Sequence, residues 1–152
     1  TMAYPNRIHR KGSFRHVEMK ANEAGIYPGM LLKMDANGEV GKHDSKCGDL
    51  GDEILVAEED ALQGKTVNDA YSKDSTVSII IPQRGTVVRM LLASGEVLSV
   101  GEKVCSAGNG CIRSAPDLDS PTELAVVIGV AEEAKDLSAS GADNELVDIR
   151  IS

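Results

Sequence analysis

The chain has 152 residues, 41% of them hydrophobic and 26% charged, with no Trp and a single Phe. That length makes one domain the default and is enough to enclose a full core, while the ordinary charge content excludes wholesale disorder. A net charge of −8 disfavours nucleic acid as the main partner, because phosphate neutralisation requires a basic face.

The charge is unevenly placed. Residues 1–46 hold eight Lys or Arg against five Asp or Glu, a surplus of +3, so the remainder carries −11. The leading residues, TMAYPNRIHRKGS, are polar, basic and broken by Pro5 and Gly12. They are expected to form an extended arm over residues 1–13, ahead of a single β-rich domain over residues 14–152. A basic arm on an acidic body suits a reach onto another, acidic surface. Within and beside the arm, Tyr4, Arg7, Ile8, Arg10, Lys11 and Arg15 are the candidate interface residues. No apolar stretch follows Met2-Ala3-Tyr4-Pro5 to make a secretory leader, and no run is long enough to span a bilayer. Synthesis in a cytoplasm, with no membrane partner, is the expectation.

Residues 14–19 alternate, with Val17 and Met19 on one face and His16 and Glu18 on the other, the period of a strand. Pro28-Gly29 marks a turn. Residues 30–34 form a compact apolar strand that runs into Asn37-Gly38, a tight-turn pair, with a return strand starting at Glu39 and Val40. A polar loop over 42–52 precedes a strand at 53–57. Residues 58–63, closed by Gly64, fit one helical turn with acids at its start. Strands are expected at 76–81 (ended by Pro82), 86–92, 96–100 and 111–113, then across the nearly continuous apolar run 124–130 and the closing segment 146–151. Loops are expected at 114–122 and 137–144. This gives eight to ten short strands and at most one short helix: an all-β fold, a small antiparallel barrel or sandwich with an extended N-terminal arm.

Three cysteines, Cys47, Cys105 and Cys111, are an odd count for a disulfide framework. Cys105 and Cys111 flank the Gly108-Asn109-Gly110 turn, a placement that suits either a cross-strand bridge on oxidation or two small half-buried apolar side chains. His43 and Cys47 share a loop with Asp44 and Asp49, without the paired spacing of a structural zinc site. No G-x-S-x-G element, phosphate-cradling loop or G-x-G-x-x-G is present. Glu58-Glu59-Asp60 reads as the complement of a helix start, and Glu132-Glu133 as a solvated strand end. Neither catalysis, cofactor nor metal is expected.

Five segments stand in a distinctive order. They are Ala57-Glu58-Glu59-Asp60-Ala61-Leu62-Gln63-Gly64-Lys65-Thr66-Val67 with Ala70-Tyr71-Ser72 and Val77; Arg84-Gly85 with Met90-Leu91-Leu92-Ala93-Ser94-Gly95; Val100-Gly101-Glu102-Lys103-Val104 with Ser106-Ala107-Gly108-Asn109-Gly110; Val127-Ile128-Gly129-Val130-Ala131-Glu132-Glu133; and Val147-Asp148-Ile149-Arg150-Ile151. Together, across residues 55–152, they resemble the small capsid cement, or head-decoration, proteins of tailed bacteriophages, with a looser echo at residues 28–38. The resemblance implies a β-rich structural protein of the virion, made in a bacterial host cytoplasm. It would bind the outer surface of an assembled head, commonly as a homotrimer at local three-fold positions, with the major capsid protein as partner. It carries no catalytic residues over. The turns at Ser94-Gly95 and Gly108-Asn109-Gly110 then become candidates for loops that meet neighbouring subunits.

Two other readings remain. The run Arg84-Gly85-Thr86-Val87, followed by residues 95–104, resembles the strand–turn rhythm of biotinyl or lipoyl carrier modules, but the corresponding turn, Leu92-Ala93-Ser94-Gly95, holds no lysine. A small hydrolase using Cys47 and His43 is the enzyme reading, and no orienting motif accompanies it.

Overall fold

The computed structural model describes residues 7–45, 53–115 and 126–152. Among them are thirteen strands: β1 (His9–Lys11), β2 (Phe14–Lys20), β3 (Leu31–Met34), β4 (Val40–Lys42), β5 (Leu55–Ala57), β6 (Thr76–Pro82), β7 (Val87–Leu92), β8 (Val97–Leu98), β9 (Lys103–Gly108), β10 (Cys111–Ser114), β11 (Gly129–Ala131), β12 (Lys135–Asp136) and β13 (Glu145–Ile151). The all-β fold expected from the sequence is the fold observed. The helical turn expected over 58–63 is a single 3₁₀ turn at Ala61–Gln63, closed by Gly64 in the left-handed region at φ 71°.

Two large sheets build the body, and β8 and β12 pair as a small third one. In the first, β7 pairs with β13 from Val87 opposite Arg150 to Leu92 opposite Glu145. β13 pairs with β11, β11 with β9, and β9 with β10. β10 returns to β7 through Ile112 opposite Leu92. Five strands thereby close on themselves as a small barrel, which leaves none of them as an open edge. Alternate residues of β7 and β13 point inward, so Val88, Met90, Leu92, Val147, Ile149 and Ile151 are all buried in one aliphatic cluster. Each such side chain contributes roughly 1.5–3 kcal/mol on leaving water.

The second sheet has the order β2-β6-β5-β3-β4. Its central strands are apolar on both faces. Val56, Ile80 and Leu31 join the barrel's cluster, whereas Leu32, Leu55, Ala57 and Ile79 belong to a second cluster with Ile26, Val40 and Tyr71. The sheet therefore sits between two cores. It also curls: Ala21, just past β2, forms a parallel bridge to Val40 on β4.

Two local expectations need correction. The apolar run 124–130 enters a ladder only at Gly129, where pairing to Val104 and Ile151 begins; residues 124 and 125 lie outside the described part. Hydrophobicity alone overran the available partners. Cys105 and Cys111 are not cross-strand partners, because a register shift sets Cys111 against Gly108 and Cys105 against Arg113; no disulfide joins them, and both are buried. Cys47 and most of the loop at 114–122 lie outside the described residues.

Gly129 is where β11 passes closest to β13. A Cβ there would overlap the carbonyl oxygen of Arg150 and lie 2.9 Å from Ile149 Cγ2. Gly129→Ala is expected to destabilise the barrel by about 1–3 kcal/mol, read as a lower urea midpoint at unchanged slope.

Candidate interaction surface

The sequence points to the N-terminal segment, and the structure divides its residues sharply. Tyr4 lies outside the described residues. Arg7 is exposed. Ile8 is fully buried in the barrel's aliphatic cluster, its N–H donating to Glu59 Oε2 at 3.0 Å and its carbonyl accepting from Arg89 N–H at 2.8 Å. Residues 9–11 then pair with β7 as β1. Within the extended arm expected over residues 1–13, the stretch from Ile8 to Lys11 is therefore bonded to the body. The reason is one apolar residue at a register position that faces the core, a feature masked by its basic neighbours. Ile8 is not available to a partner.

Arg10, although exposed, is engaged across the sheet. Its Nε lies 3.6 Å from Asp148 Oδ1, as does Arg89 Nε, so one carboxylate on β13 serves two guanidinium groups. Lys11 and Arg15 remain exposed. Gly12 and Ser13 carry the chain from the first sheet to the second. Gly12 takes φ 91° with Thr86 packed against it, and Ser13 O accepts from Gln83 N–H and from the Thr86 hydroxyl. The surface that remains basic is therefore Arg7, Lys11, Arg15 and Lys20, with His9 and His16 beside them and Glu18 as the one acid between 7 and 20.

The acids at Glu58-Glu59 do something the sequence did not reveal. They do not complement a helix start; Asp60 makes no side-chain cap to the 3₁₀ turn. Glu59, 5% exposed, instead holds the N–H of Ile8 across 51 residues of chain. Glu58 sits beside it, half-buried, with Oε2 unpartnered. Burial, and then the neighbouring Glu59 charge, push the Glu58 carboxyl above its ordinary range, with His16, Arg7 and His9 opposing the shift. Tyr71 closes the same corner: its hydroxyl donates to Glu58 O and accepts from Ser78 N–H, and burial raises its pKa. No spacing signal linked residue 8 to residue 59.

Elsewhere, the groups that suggested chemistry are enclosed. His43 is 2% exposed, with Nδ1 3.4 Å from the hydroxyl of the fully buried Ser106. The Gly108-Asn109-Gly110 turn is docked on its own chain, Gly110 N–H donating to His43 O and Leu31 N–H to Gly110 O. The Ser94-Gly95 turn stays at the surface, braced by Asn144 Oδ1 on Ser94 N–H. Among the described residues, no group of three or more His, Cys, Asp or Glu side chains is placed to hold a metal ion. An open groove of about 870 Å³ runs between Tyr27, Met30 and the β7–β13 pair at Arg89, Leu91, Glu145 and Leu146.

The chain is similar to the N base of head fiber gp8.5 of bacteriophage phi29. The TM-score is 0.55 at 12% identity, over 92% of this chain and 95% of that one. At that identity the likeness is one of fold, and it spans both sheets rather than a fragment. No family model and no curated protein matches the sequence.

Two measurements check this surface. Ile8→Ala is expected to cost about 2–5 kcal/mol in urea unfolding, whereas Arg15→Ala is expected to stay within about 0.5 kcal/mol. Glu58 is raised in the folded state, so its contribution to stability is best below the unfolded carboxyl range and is lost as pH rises through the folded pKa. Glu58→Gln is therefore expected to raise Tm at pH 7 by a few degrees at most, because the half-exposed group is screened, and to leave Tm unchanged at pH 4.

Proposed function

We propose that this chain is a non-catalytic capsid cement, or decoration, protein: it binds the outer surface of an assembled phage head, bridges neighbouring major capsid subunits and stabilises the shell. What carries the reading is the agreement of two separate signals. Five sequence segments, in order, resemble the head-decoration family, and the fold of nearly the whole chain resembles the base of a phage head fiber at an identity too low for the sequence to have forced the match. The architecture is consistent with that role. A closed barrel and a twice-buried sheet make a rigid body, and apart from Glu59, His43, Thr86 and Ser106 the described charged and polar side chains reach its surface.

Mechanistically, such a protein works by linkage. Binding the assembled lattice and not the dissociated subunits stabilises the lattice by about 2.7 kcal/mol per site at a free concentration a hundredfold above Kd. Copies that touch several subunits at once gain further through effective concentration, which favours a trimer on a local three-fold position. The basic surface at Arg7, Lys11, Arg15 and Lys20, on a chain of net −8, supplies the directional electrostatics for docking on an acidic coat surface.

The test is to mix the purified chain with bare heads assembled from the coat protein of the same source. Saturable cosedimentation and a higher head-disruption temperature are expected. A chain that stays in the supernatant at micromolar concentration and leaves that temperature unchanged contradicts the proposal.

A further inference from the structure

The edges of the second sheet are treated very differently. On β4 the outward-pointing groups are capped: Val40 O accepts from Asn22 N–H at 2.8 Å, and Lys42 N–H donates to Glu23 Oε2 at 3.1 Å. On β2 they are not. Gln83 N–H donates to Ser13 O and Ala21 N–H to Ser75 O at the two ends of the β2–β6 ladder, and the register between them is uninterrupted from Phe14 opposite Pro82 to Lys20 opposite Thr76. In an antiparallel ladder this fixes the alternation: the odd residues bond to β6, while the N–H and C=O of Phe14, His16, Glu18 and Lys20 point away from it. At one end the parallel bridge between Ala21 and Val40 brings the Lys20 carbonyl onto the Val40 N–H of β4, so the open stretch of this outermost strand is Phe14, His16 and Glu18. The strand is seven residues long and has neither a bulge nor a proline, two of the devices by which sheet edges are usually blunted.

We infer that β2 is a docking edge that takes an extended, carboxylate-bearing segment of the coat subunit as an added strand. This rests on the capsid-binding reading above and specifies how that binding is made. Backbone hydrogen bonds from the outward-facing Phe14, His16 and Glu18 give the register, and side chains give the selectivity. Charge chooses the occupant. Residues 7–20 hold Arg7, Arg10, Lys11, Arg15 and Lys20 against Glu18 alone. Lys20 is 3.3 Å from Asp74 in an exposed pair, and Lys11 and Arg15 have no ion-pair partner among the described residues. A second copy meeting β2 through the same edge would bring two such basic segments together, which Coulomb repulsion opposes; an acidic strand neutralises them. The same charges keep the edge from self-pairing before it meets the head.

Glu18→Pro separates backbone pairing from charge. It deletes one outward N–H that β6 does not use, a position where a sheet edge tolerates proline, and it removes the one acid, which by electrostatics alone should strengthen binding to an acidic partner. With wild-type chain binding bare heads, Glu18→Pro is expected to bind about tenfold more weakly at unchanged Tm. Arg15→Glu keeps the backbone and the fold, and is expected to lose about tenfold with a flatter salt dependence. If wild-type does not bind heads, the capsid reading itself fails. If wild-type binds and both variants bind as well as it does, the capsid reading stands and the β2 edge is overturned as its site. Should Glu18→Pro fail to fold, Arg15→Glu decides alone, equal occupancy overturning the inference. A wild-type dimer that Glu18→Pro converts to monomer would make a second copy the occupant instead and overturn the assignment to coat.

Discussion

The structure depends on β7 having both of its edges satisfied within the chain. One edge is taken along its whole length by β13. The other is shared: Ile8 O and Gly29 O accept from Arg89 and Leu91 N–H, and Leu92 meets Ile112 of β10. That division closes the barrel, seats Ile8 in the core and brings the 27–30 turn against the barrel wall. Remove it and the first sheet opens, the aliphatic cluster loses its lid, and the N-terminal segment loses its anchor. With no tryptophan and one phenylalanine, the core has no large aromatic to carry it, so closure and close packing of Val, Ile and Leu matter more.

The parts of this fold legible in the sequence were those encoded locally. Strand alternation in residues 14–19, the Asn37-Gly38 turn, the left-handed Gly64 and the alternating closing strand were all readable from neighbours a few residues apart. The rest was decided by partners far away. Ile8 sits in a run of basic and polar residues, and nothing nearby says that a register position 80 residues downstream will bury it. β8 and β12, two residues each, exist only because they face one another. Cys105 and Cys111 looked like opposite numbers across a turn until a bulge displaced them.

The candidate surface was half legible for the same reason. Composition located the basic segment correctly but could not tell a free arm from a strand bonded to the body. Arg10 is spent on Asp148 and Ile8 on the core, while Lys11 and Arg15 face outward. Glu58 and Glu59 resembled helix-start acids by spacing, yet one of them holds the backbone of Ile8 and the other carries the electrostatic strain of that arrangement. The free edge of β2 was invisible for a deeper reason: an uncapped edge is a property of what fails to pair, and no sequence pattern marks that.

A rigid, closed β body with one long open edge, basic where the chain is otherwise acidic, is well suited to hold a lattice together from outside. The most direct measurement is a cryo-EM map of bare heads decorated with the purified chain. The account predicts added density on the outer shell at the junctions between coat subunits, with β2 turned towards coat. Heads that gain no density, or density that bridges no subunits, would contradict it.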